Sequence, residues 1–95
     1  MQDLSNDVVF RVWHNGDILA LWPAIAADNQ GLFCQSYEHI GQHSLADYSG
    51  CIAQTRPATP EEYADLLKEL QKIGYSDLRV IKRSTQAHRN LRWAN

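Results

Sequence analysis

Several absences narrow what this sequence of 95 residues can be. Two cysteines are too few for a disulfide framework, so free thiols in a reducing cytoplasm are expected. Residues 1–7 are polar and acidic, with no apolar h-region, so no secretory leader is expected. No apolar run approaches the ~20 residues of a membrane span, so no membrane association is expected. There is no glycine-rich phosphate loop and no cluster of metal-binding carboxylates, so no cofactor is expected. With only three prolines and five glycines, the chain has no linker, repeat or low-complexity tract.

What is present fits one small globular unit. Hydrophobic residues make up 44% and charged residues 21%, enough for a core, though a modest one at this length. The net charge of −2 hides an asymmetry. Residues 79–95 carry Arg79, Lys82, Arg83, Arg89 and Arg92 and no acid, whereas residues 1–78 sum to −7. A basic end on an acidic body offers a nucleic-acid contact through those five side chains. The acidic body disfavours it, and a solvated tail is the plainer reading.

Two β-rich runs, Val8–Trp13 and Ile18–Trp22, flank His14-Asn15-Gly16-Asp17, and Asn-Gly signals a hairpin. With Asn15 and Gly16 as a two-residue turn, Trp13 faces Ile18, and Phe10, Val12, Leu19 and Leu21 share one face. The other face then holds Val9, Arg11, Trp13, Ile18 and Trp22. Either the hairpin is covered on both sides, or Trp13 and Trp22 form a surface patch of the kind that marks a partner site. Pro23 is expected to end the second strand. Further strands are predicted over Leu32–Tyr37, Gly50–Arg56 and Asp77–Arg83. Thr59-Pro60-Glu61-Glu62 is a capping box, followed by Tyr63, Leu66, Leu67, Leu70 and Ile73 at helical spacing and by Gly74 as the stop. The resulting fold class is α+β: a mainly antiparallel sheet of about five strands in the order β-β-β-β-α-β, with one amphipathic helix on one face. Residues 1–83 form the single domain, and residues 84–95 are a basic, flexible tail.

The segment Cys34–Tyr48 concentrates groups able to ligate, transfer protons or hydrogen-bond. Cys34, His39, His43 and Cys51 have zinc-compatible ligand types, but their spacing matches no finger or ribbon. Cys34 with a histidine and Asp47 contains the members of a thiol triad, yet Cys34 sits mid-strand among apolar residues, as an inert core thiol does. His39, His43 and Asp47 remain as acid–base candidates. Gly41-Gln42 is expected to turn the chain so that both histidines project together, with Tyr37 and Tyr48 closing the loop.

At Gln35-Ser-Tyr-Glu-His-Ile-Gly-Gln-His43, with Ala46-Asp47-Tyr48 and Arg56-Pro-Ala-Thr-Pro-Glu-Glu-Tyr-Ala64 following, the chain resembles a group of short bacterial proteins often carried on phage, plasmids or other mobile elements. The likeness runs from about Val8 to Arg83, and its most specific part is Tyr-x-His-x-Gly-Gln-His. That group has no established activity, so the resemblance implies a bacterial, cytoplasmic, mobile-element setting and transfers no catalytic residue. A non-enzymatic module binding a protein partner is the expected function, as monomer or homodimer. Trp13, Trp22, Tyr37, Glu38, His39, Gln42, His43 and Tyr48 are its expected contacts, because interfaces favour aromatic anchors. A small histidine-dependent hydrolase or nuclease, or a metal protein, is the rival.

Overall fold

The computed structural model describes residues 4–38 and 42–93, with the backbone alone at position 42. A short 3-10 helix (Leu4–Asn6) leads into β1 (Asp7–Val12), β2 (Ile18–Ala26), β3 (Cys34–Glu38) and β4 (Gln42–Ala46). There follow α1 (Tyr48–Gln54), β5 (Arg56–Pro57), α2 (Pro60–Lys72), β6 (Arg79–Ile81) and α3 (Gln86–Trp93). The strand order is β4-β3-β2-β1-β5, and β6 also pairs with β1. The fold is therefore α+β, but the sheet has six strands and is mixed, because β6 runs parallel to β1. Four of the five pairings are antiparallel, as expected of a mainly antiparallel sheet; the expectation of about five strands and one helix is corrected to six strands and, among the described residues, three α-helices.

Both faces of the hairpin are covered, which settles the alternative left open by the sequence. On one face Val8, Phe10, Ala20, Trp22 and Tyr37 pack against Leu66 and Leu70 of α2. On the other, Val9, Leu19, Leu21, Cys34 and Ala46 pack against Tyr48, Cys51 and Ile52 of α1. All six residues of β1 are buried as a result. The partition differs from the expected one because the turn holds one more residue. Trp13 N–H donates to the Asp17 carbonyl (2.9 Å), leaving His14-Asn15-Gly16 as a three-residue loop with Gly16 at φ +91°. Phe10 then opposes Ala20, and Val9 opposes Leu21. A one-residue slip exchanges the faces of a strand, so Leu19 and Leu21 line the α1 face and Trp22 the α2 face.

Three further expectations are corrected. Pro23 does not end β2: the strand continues to Ala26 through an irregularity between Trp22 and Ala26. A proline, having no N–H, is tolerated where the ladder is broken. Residues 50–54, part of the strand expected over Gly50–Arg56, belong to helix α1, whose Tyr48, Cys51 and Ile52 recur at helical spacing. Arg11 holds its far end, donating to Ile52 O (3.1 Å), Thr55 O (2.7 Å) and Thr55 Oγ1 (2.9 Å). A guanidinium on the last carbonyls of a helix satisfies acceptors that have no intrahelical partner. Finally, residues 86–93, expected as a flexible tail, form helix α3 with His88 and Arg92 buried.

Helix α2 has the form predicted for it. Thr59 Oγ1 accepts from Glu62 N–H (3.3 Å), and Glu62 Oε1 accepts from Thr59 N–H (2.9 Å). Leu66 and Leu70, fully buried, dock it on the sheet, a gain of about 2 kcal/mol each from apolar burial.

Candidate functional site

The register of the β3–β4 hairpin decides what the Cys34–Tyr48 segment brings together. Tyr37 opposes His43 and Gln35 opposes Leu45, while Cys34 opposes Ala46 and Ser36 opposes Ser44. Side chains alternate along a strand. Gln35, Tyr37, His43 and Leu45 therefore lie on the α2 face, and Cys34, Ser36, Ser44 and Ala46 on the α1 face. This separates the metal and nucleophile candidates. Cys34 is fully buried with Cys51 packed against its cluster, and His43 is across the sheet from both. His39 lies outside the described residues. Among the described residues no three His, Cys, Asp or Glu side chains gather as a metal site.

The thiols are unsuited to nucleophilic work. Burial pushes Cys34 up to about 12, and burial also raises Cys51. A thiol so far from its thiolate is a poor nucleophile near neutrality. Asp47 does not approach His43 as an orienting partner would: it precedes α1, with Oδ2 lying over Gly50 on the face of the cysteines.

What assembles instead is a polar-aromatic cluster around His43. Its Nε2 is 2.8 Å from the Tyr75 hydroxyl, and its ring meets Tyr37 edge-on at 4.9 Å. Gln35 Nε2 donates to the same Tyr75 oxygen (3.0 Å), which leaves the Tyr75 proton available to His43. Tyr75 stacks on Trp22 at 5.0 Å. The Tyr37 hydroxyl donates to Glu69 of α2, and that bond, more than burial, raises the phenol. His43 itself is exposed, and Leu45, two residues on along the same face, is 53% exposed. Trp22, by contrast, is wholly buried, with its Nε1 lacking an acceptor among the described residues, so it is core and not surface. The cluster presents a fixed imidazole beside an apolar side chain at the rim of the sheet. A hydrogen bond joins a phenol to that imidazole.

The remaining candidates are scattered. Trp13 is half-buried against the α1 face, and Tyr48 accepts from Ser84 N–H (2.8 Å) on that face. Tyr37 and Tyr48 therefore do not close one loop together. Glu38 is half-buried and pairs Leu19 and Gln42 across the ladder. Of the basic residues, Arg92 is buried on the carbonyls of Gly31 (2.9 Å) and Pro23 (3.0 Å), and Arg79 is bonded to Asp7. Arg89 donates to Gln86 (2.9 Å), while Lys82 and Arg83 are exposed.

Nothing in the residue patterning points to a network joining β1, β6 and α3. Asp7 Oδ1 and Oδ2 accept from Arg79 (2.7 and 2.6 Å), and Oδ2 also meets His88 Nε2 at 2.7 Å. Thr85 N–H donates to His88 Nδ1 (2.9 Å), so the ring proton is on Nε2 and points at Asp7. With its ring nitrogens engaged, His88 acts as a strut. Its partner lies 81 residues away along the chain, so no local pattern announces it. No helix among the described residues is long and apolar enough to cross a membrane. No family model matches the chain, and no curated protein or solved structure is found to be similar to it.

Proposed function

We propose that this protein is a small non-enzymatic interaction module of a bacterial mobile element, acting in the cytoplasm, and that it binds a protein partner by adding the partner's strand to β4. The observation that supports this most is the β4 edge. It is the last strand on its side of the sheet, and its five residues, Gln-His-Ser-Leu-Ala, carry neither formal charge nor proline. Natural sheets protect open edges with lysines, prolines, bulges or a covering element. An unprotected edge offers its backbone groups to an incoming strand, and flanking side chains supply selectivity. Here His43 and Leu45 stand on one face of that edge, with the imidazole held by Tyr75. A photo-cross-linker at Ser44 is expected to capture a discrete protein in a bacterial extract, whereas one at Lys68 on the outer face of α2 is not. Leu45→Lys should abolish the Ser44 product. Equal capture from both positions, or none from Ser44, overturns the reading.

The Tyr75–His43 contact favours one alternative, acid–base chemistry by His43. On that reading His43→Gln removes an activity while leaving cross-linking from Ser44 intact. Retention of all phenotype in His43→Gln removes the alternative.

A further inference from the structure

The opposite edge of the sheet is split. β6 pairs with Asp7–Val9 of β1, and β5 pairs with Arg11 and Val12 in the opposite direction. The two part at Phe10, whose carbonyl accepts from Ala58 N–H (3.1 Å) before the chain turns into α2. A cleft of about 480 Å³ opens at this junction, a volume typical of sites for small organic ligands. Phe10 and Tyr63 stack at 4.5 Å, with their planes 12° apart, and form its aromatic wall. Pro57 and Pro60 continue the apolar lining, and Val80, a β-branched strand residue, remains 38% exposed there.

The charge around this cleft selects among ligands. Lys82 is the one charged residue on the lining, and it has no hydrogen bond or ion pair among the described residues. An apolar amine would meet that ammonium. A doubly charged ligand would find a single unpaired cation on the lining, because the guanidinium of Arg56, next to Pro57, is taken by Glu62 (2.8 and 2.5 Å), and Glu61 stands next along the chain from Pro60. A phosphate monoester carries close to two charges at neutral pH, so it fits less well than a carboxylate.

We infer that this cleft binds an apolar monocarboxylate, its hydrocarbon against the Phe10–Tyr63 pair and its carboxylate on Lys82. The site is independent of the β4 edge and sits at the opposite edge of the sheet. Matched probes test it: 4-phenylbutyrate, 4-phenylbutan-1-ol and 4-phenylbutylamine, titrated into the full chain and followed by the NMR signals of the Val80 methyls and the Tyr63 ring. The acid is expected to move both signals and to bind about fivefold more tightly than the alcohol, as a partly exposed ion pair allows. The amine should bind more weakly than either. Lys82→Met should bring the acid to the affinity of the alcohol and leave the alcohol unchanged. An amine that binds as tightly as the acid overturns the inference. So does acid binding indifferent to Lys82→Met, or the absence of any shift at Val80 and Tyr63 with millimolar acid.

Discussion

Asp7 is 1% exposed and ionised, a combination that only dense hydrogen bonding sustains. The bonds from Arg79 hold its carboxyl below the usual carboxylate range; burial opposes them, and His88 adds to the lowering. A lowered folded-state value means that the stability is present above the unfolded value and is lost as pH falls through the folded one. The loss is expected to begin as pH falls towards about 4, the unfolded value, and to be complete only below the lowered folded one. Asp7→Asn removes the anion and replaces one acceptor oxygen by a donor, so Arg79 and His88 cannot both keep their bonds to it. It should cost about 2–4 kcal/mol in urea unfolding at pH 7 and flatten the acid limb of the stability curve. An Asp7→Asn protein as stable as the parent would show that the network is incidental. Cys34 makes a second expectation at the same scale. With its thiol pushed up to about 12, it should resist iodoacetamide at pH 8 in the folded protein, while Cys51, half-buried, reacts first. Equal labelling of the two thiols would contradict its placement.

Among the elements, α3 shows why one helix is legible in a sequence and another is not. Helix α2 carries its start signal, an apolar stripe and a stop, and each corresponds to a bond or a buried side chain in the fold. In α3 the buried positions, His88 and Arg92, are four apart but polar, so a search for apolar periodicity passes over them. They are buried because Asp7 and the carbonyls of Pro23 and Gly31 receive them, and those groups come from distant parts of the chain. The Asn15-Gly16 turn was legible in place but not in register, since loops of two and three residues share the same signal. The candidate site was half legible. Tyr37 and His43 stood out by residue type, whereas Tyr75, 32 residues beyond His43, did not. The α3 contact also carries an expectation. A Cβ on Gly31, whose φ is +71°, would lie 2.3 Å from the Arg92 carbonyl oxygen and 3.1 Å from the Trp93 Cα. Gly31→Ala must therefore push α3 off the β2–β3 loop, at about 1–3 kcal/mol. Thermal unfolding should show it as a lower midpoint, and Gly16→Ala, with nothing within 4 Å, should cost less.

At the scale of the whole molecule, β1 is the hub. It pairs with β2, β5 and β6 and is covered on both faces, so it belongs to every cooperative unit of the fold. α3 is attached differently. Its anchor on β1 is the His88–Asp7 bond, and Arg92 ties it to Pro23 of β2 and to Gly31 of the β2–β3 loop. Apolar burial is insensitive to proton concentration, but the Asp7 network is not. Acid should thus separate the two. As pH falls below about 4, the unfolded value of an aspartate, amides of residues 86–93 should lose protection in native-state hydrogen exchange, once corrected for intrinsic rates, before those of β1 and β2 do. Asp7→Asn should reproduce that early loss at pH 6. If β1 and α3 open together at every pH, the helix is held by packing and not by charge, and the strut assigned to His88 fails.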